Sequence, residues 1–209
     1  GVLDISQPGG EISWESNPSA VLLDDERSLV VWVCGGRNGS DICARIVGVD
    51  GTVHGNRFLV NVDVKRDQRQ PQAIRLVSGQ VLVAWQDCEV DRSKGFYATK
   101  NCRIMGRTLA AESKGENKEW KLSPNEPGNP MAPSLAVLDS GRIVLGWVER
   151  GVSGSDSSYA VFTSMLNEQG HPSGPANLLA SASGRPQLRP SLAPSPNGGF
   201  MVLWEQWAW

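Results

Sequence analysis

The sequence predicts an all-β fold, a β-propeller of four-stranded antiparallel blades, and three observations predict it. A proline-to-tryptophan run occurs four times, as Pro18 to Trp32, Pro71 to Trp85, Pro133 to Trp147 and Pro190 to Trp204, with the tryptophan always fourteen positions after the proline. A turn falls inside every copy, at Asp24-Asp25-Glu26, Ser78-Gly79, Asp139-Ser140-Gly141 and Pro196-Asn197-Gly198-Gly199. The tryptophans are 53, 62 and 57 residues apart, a period that holds four short strands and suits one propeller blade. The 23 glycines, 13 prolines and 8 tryptophans in 209 residues fit many tight turns between short strands rather than long helices. A β-sandwich could also use four short strands per unit, but it has no need of one Pro-to-Trp frame four times over. A linear solenoid would use shorter rungs.

Each unit is read as four strands. The first starts at the proline, where a missing amide donor is tolerated, and is rich in small residues. The second, such as SLVVW or QVLVAW, is nearly all apolar, as a strand covered on both faces should be. The third, such as ICARIVGVD or CRIMGRTLAA, alternates less cleanly, and the fourth is brief. Gly51, Gly55 and Leu59 in unit one recur at identical spacing as Gly170, Gly174 and Leu178 in unit three, placing a glycine hairpin between the third and fourth strands. The chain reads as one domain over 1–209, with repeats at about 18–61, 71–123, 133–180 and 190–209 joined by 1–6. The fourth copy shows only its first two strands, and GVLDIS at the opening has the character of a terminal strand. Ile5 lies thirteen residues before its proline, where Val60, Leu122 and Leu179 lie eleven before theirs. The incomplete blade is expected to be finished by this N-terminal strand, which closes a four-bladed ring, or by another chain, which completes an arc. A start at Gly1 without a leader-like segment reads as a processed product or a domain of something longer.

Twenty basic against 22 acidic residues leave a net charge of -2, which offers no footprint for nucleic acid or an anionic membrane. No run approaches eighteen apolar residues, so no transmembrane helix is expected. The cysteines form two close pairs, Cys34 with Cys43 and Cys88 with Cys102, each beginning two or three residues after a repeat tryptophan. Two disulfides stapling the loops between second and third strands are the expected reading, and they imply a secreted or extracellular protein. Buried thiols or a metal site are the alternatives; the spacing and the distant His54 and His171 do not suit zinc. Asn38 opens an Asn-Gly-Ser glycosylation sequon inside the first of these loops.

At the Pro-to-Trp runs PQAIRLVSGQVLVAW and PSLAVLDSGRIVLGW, and at the DGTVHGNRFLVN hairpin, the chain resembles the tryptophan-anchored, β-propeller-like repeats of secreted and cell-surface proteins such as large bacterial adhesins. The resemblance implies a surface location and a recognition role, and it nominates no ligand.

The repeat tryptophans, each ending an apolar strand, read as core rather than as sugar-stacking platforms. Trp14, Trp120, Trp207 and Trp209, outside the frame, are better candidates for exposed stacking or for covering a blade edge. Acidic residues Asp87, Glu149 and Glu205 follow the tryptophans and could gather near a channel mouth to meet a cation, a basic peptide or a sugar hydroxyl; solvated strand ends are the plainer reading. The candidate ligand or partner contacts are therefore Asp87, Glu149, Glu205, Trp207 and Trp209, with no catalytic residue, metal ligand or cofactor assigned. Arg45, Arg103 and Arg107, on third strands, read as outward-facing. A sialidase-like glycosidase would require paired carboxylates and an Asp-box that is missing, and two histidines in turns give a serine triad little material. The expected function is a non-catalytic, extracellular recognition or adhesion module with a glycan or protein ligand, lectin-like first. An assembly subunit completed by a second chain and a glycosidase are the alternatives.

Overall fold

The computed structural model describes residues 5, 15–35, 39–91, 93, 98–110, 118–124, 128–151, 158–183 and 185–207. Asn38, Trp14 and Trp209 lie outside them. The described residues form strands only, in four antiparallel sheets, each a meander in chain order. The first is β1 (Glu15–Leu22), β2 (Arg27–Gly35), β3 (Ser40–Gly48) and β4 (Val53–Leu59). The second is β5 (Asp67–Arg75), β6 (Val81–Val90), β7 (Thr99–Leu109) and β8 (Trp120–Lys121), and the third is β9 (Asn129–Val137), β10 (Ile143–Arg150), β11 (Ser158–Leu166) and β12 (Asn177–Ser183). The fourth holds two strands, β13 (Gln187–Pro194) and β14 (Phe200–Gln206).

The first three sheets are propeller blades because each second strand, β2, β6 and β10, is covered on both sides. In β6, Val81, Val83 and Trp85 face the first sheet, packing with Val31, Val33, Ile42 and Ala44, while Leu82 and Ala84 face the third, packing with Ile143, Leu145 and Trp147. Period-two alternation of an apolar strand therefore feeds two interfaces at once. Between the third and fourth blades the layer thins to Ala136, Leu138 and Val144, with Met165, Leu192 and Phe200 against them. First strands lie side by side in the order β1, β5, β9, β13 and line the axis.

The frame prolines sit inside the inner strands, not at their starts. Each occupies a bulge, with register breaks between Ser16 and Ser19, Arg69 and Gln72, and Leu188 and Ser191, and opposite Gly146 to Val148 in the third blade. The residue before each proline has a left-handed backbone: Asn17 at φ 50°, Gln70 at 52°, Ala132 at 50° and Arg189 at 50°. A bulge tolerates the missing proline amide, which is why the motif lies mid-strand. Side chains beside the bulges staple blade to blade. Ser19 Oγ accepts from Ala73 N (3.2 Å), Gln70 Oε1 from Ala132 N (2.8 Å) and Ser134 Oγ from Leu192 N (3.2 Å). The glycine hairpins take the expected form, with Gly51 and Gly170 both at φ 85°, a value that disfavours any side chain.

Three frame tryptophans are core: Trp85 and Trp147 are fully buried and Trp32 is 4% exposed. Trp204 departs from the expectation at 37% exposed, because β13 and β14 have no third and fourth strands beside them among the described residues. Ile5 is the one described residue of the opening segment. It packs against Trp32, Cys34 and Cys43, and its carbonyl accepts Arg45 Nη1 at 3.1 Å. Arg107, the equivalent third-strand residue of the next blade, gives Nη1 to the Val60 carbonyl at 2.6 Å. Ile5 thus holds, against the first blade, the place that the end of the first blade holds against the second.

Both expected disulfides are present, Cys34–Cys43 and Cys88–Cys102, each tying the end of a second strand to the start of a third. They close loops with separations of 9 and 14 residues. Loops of this size correspond to about 2.5–3 kcal/mol each in the chain-entropy treatment. Reduction is expected to lower the urea midpoint, with each Cys-pair-to-Ala variant losing about half of the combined effect. An unshifted midpoint after full reduction counts against it.

Candidate functional site

Inner strands begin, and second strands end, at one end of the propeller, which both disulfides also occupy. An open cavity of about 950 Å3 lies there between the first three blades. Arg69 and Gln70 reach it from the start of β5, Gln86 from the end of β6, Lys100 from β7, Asn129 from β9 and Arg150 from β10. A smaller cavity of about 220 Å3 is lined by all four bulges, from Asn17-Pro18 to Arg189-Pro190, and shares Asn17 and Gln70 with the larger one. The two together mark the propeller axis.

Three of the four amides that line the large cavity among the described residues, Gln70, Gln86 and Asn129, are fixed on one side and open on the other. Gln70 commits Oε1 to Ala132 N, Gln86 gives Nε2 to the Pro130 carbonyl at 2.9 Å, and Asn129 Oδ1 accepts from Cys102 N at 3.3 Å. The opposite atoms remain for a ligand: donors on Gln70 Nε2 and Asn129 Nδ2, and an acceptor on Gln86 Oε1. Side chains locked by the scaffold lose little freedom on binding. Among the charged groups, Arg69 Nε pairs with Asp67 Oδ2 at 2.5 Å, while Asp67 Oδ1 accepts from Ser40 N and Oγ. Lys100 lies 3.9 Å from Asp91, the one carboxylate among the described lining residues. No group of three or more metal-ligating side chains occurs among the described residues.

The acidic residues singled out from sequence do not gather at this mouth. Asp87 is 1% exposed and lies between two guanidiniums, taking Arg66 Nε on Oδ1 and Arg103 Nε and Nη2 on Oδ2 at 3.2 and 2.9 Å. Arg66 continues to Glu89 Oε1 (3.1 Å) and to the Asn101 carbonyl (2.8 Å). Burial works against the Arg66 charge, but Asp87 and then Glu89 outweigh it and hold its pKa above the ordinary arginine value. The Asn101 amide, followed by Arg66, holds Glu89 below the usual carboxylate range. Glu149 is also 1% exposed, and its Oε1 accepts Trp147 Nε1 at 2.9 Å. Glu205 follows its tryptophan by one residue rather than two, so it points to the other face of its sheet, where it meets Arg189 at 3.4 Å on the surface.

Arg45 and Arg107 correct their outward reading. They are 7% and 2% exposed and bond backbone carbonyls between blades. Trp120 covers a blade edge: its Nε1 donates to the Gly170 carbonyl at 3.0 Å, and its ring lies 4.3 Å from that of His171. Trp207 is half exposed beside the fourth sheet, its backbone N donating to the Pro186 carbonyl at 3.2 Å. The cavity residues Arg69, Gln70, Gln86, Asn129 and Arg150 escaped the sequence reading. For Arg69 and Gln70 alone a signal lay in the frame itself. The two positions before each proline read Ser16-Asn17, Arg69-Gln70, Met131-Ala132 and Leu188-Arg189, variable beside a constant residue.

No protein-family model matches the chain, and no curated relative was found. Among solved structures, it is similar to a protein of unknown function from Dyadobacter fermentans, at TM-score 0.70 and 11% identity, over 92% of this chain and 62% of that one. It is similar to an endo-arabinase from Bacteroides thetaiotaomicron at TM-score 0.58 and 13% identity, over 90% and 68%. A third is the GH93 α-L-arabinofuranosidase of Fusarium graminearum, solved with arabinobiose, at TM-score 0.56 and 12% identity over 92% and 57%. The chain thus spans less than two thirds of the first and third structures, and what it shares with all three is the propeller fold.

Proposed function

We propose that this protein is a carbohydrate-recognition module that holds a saccharide in the 950 Å3 cavity without cleaving it. The carrying observation is the set of three anchored amides, whose remaining donors and acceptor suit the hydroxyls of a sugar. Two carbohydrate-active propellers among the similar structures support that ligand class. Hydrolysis needs two carboxylates about the scissile bond, and Asp91 is the only one among the described lining residues. The two disulfides belong to an oxidising compartment, which favours a secreted or surface location. Among the described residues no helix is long and apolar enough to cross a membrane.

Glycan-array screening of the whole chain, followed by calorimetry and product analysis, tests this reading. Saccharide binding without new reducing ends is expected, and Asn129→Ala should weaken it by about tenfold, the loss of one buried hydrogen bond to a ligand. Released product overturns the non-catalytic reading, and an array without any hit overturns carbohydrate as the ligand.

A second reading, an assembly subunit, is favoured by the fourth sheet. Met201 and Leu203 on β14 are 60% and 73% exposed, on the face that β6 and β10 bury against a following blade. Another chain seated there would cover them. Light scattering that shows a monomer at every concentration removes this reading.

A further inference from the structure

We infer that the saccharide held in this cavity is acidic, with a carboxylate received by Arg150; the inference rests on the carbohydrate reading above. Among the described lining residues three are cationic, Arg69, Lys100 and Arg150, against one carboxylate, Asp91, in a chain whose net charge is -2. They are not equivalent. Arg69 is held by Asp67 at 2.5 Å, and Lys100 stands 3.9 Å from Asp91. Arg150, half-buried at the end of β10, forms no ion pair with a described residue, and its Nε is shielded from water without a hydrogen-bond partner. An anion arriving in the cavity meets in Arg150 a guanidinium whose charge no described carboxylate pairs. The planar fork of a guanidinium matches the two oxygens of a carboxylate, and such pairs are stronger and more directional than neutral hydrogen bonds. Asn129 stands opposite Arg150 in the β9–β10 register and offers Nδ2 beside it, so carboxylate and neighbouring hydroxyl can be read together. Asp91, on the β6–β7 connection, has its charge partly answered by Lys100 of β7. Opposite in sign to the protein as a whole, the patch draws anionic ligands inward.

The test is calorimetry of the whole chain with trigalacturonate, its methyl ester and a neutral arabinotriose. The ester removes the negative charges and adds one methyl group to each carboxyl. Wild type is expected to bind the acid at least about tenfold more tightly than the ester, as one charge-assisted contact implies, and to lose that margin in high salt. Arg150→Gln should reduce the acid to the affinity of the ester while leaving the ester unchanged, and Arg150→Lys should keep part of the margin. Equal wild-type affinity for acid and ester overturns the inference, whether or not the variants fold. Binding of arabinotriose alone does the same while leaving the carbohydrate reading intact. Failure of all three sugars, together with an empty glycan array, removes both.

Discussion

Replacing Trp85 with alanine lowers the unfolding free energy by about 3–5 kcal/mol, the cost of emptying a large aromatic site in a close-packed core. Trp85 is fully buried in the interface between the first two blades, and its Nε1 donates to Gln68 Oε1 at 2.7 Å. Gln68 is itself fully buried, so truncation leaves both a cavity and a shielded amide oxygen without its donor. Trp204 occupies the same frame position but is 37% exposed. Its change to alanine is expected to cost about 1 kcal/mol or less, in the range of surface substitutions. Urea titrations of the two variants side by side make the comparison, and equal losses would show that the fourth tryptophan is covered in solution as the others are.

The second large effect belongs to Asp87→Asn. A carboxylate buried to 1% exposure serves two arginines, and the isosteric amide removes the charge that both require while turning a donor toward them. Breaking a buried pair from one side costs about 3–5 kcal/mol. Because Arg103 is 35% exposed and Arg66 16%, water answers part of the loss, and about 3 kcal/mol is the expected figure. The variant should still bind saccharide with unchanged affinity once folded, since Asp87 does not line the cavity. A loss below about 1 kcal/mol means the arginines find other partners, and weakened binding at full stability places the carboxylate in the site.

What the sequence discloses follows from how local each fact is. The fourteen-residue frame encodes an inner strand, a turn and an apolar second strand, all within one hairpin, so four copies reveal blade architecture directly. Burial of the tryptophan is a property of two neighbouring blades, and Trp204 shares the residue without sharing the surroundings. Asp87 looked like a solvated strand end because its partner Arg66 lies 21 residues earlier, in the connection before β5. The bulge was concealed by a proline that is equally at home at the start of a strand. Cavity residues were the least visible, because glutamine, asparagine and arginine in separate strands have no spacing that announces a shared pocket.

The two disulfides bear on how the chain assembles. Four cysteines allow three pairings, yet the bonds present join positions 9 and 14 apart, each between adjacent strands of one blade. Neither spans two blades. Each can therefore close as soon as its own hairpin has emerged, before any inter-blade surface exists, and the oxidised hairpins enter later docking with their strand order already chosen. In a chain of near-copies, where a second strand could align with the wrong third strand, these short covalent links discriminate among repeats that the tryptophan frame makes alike.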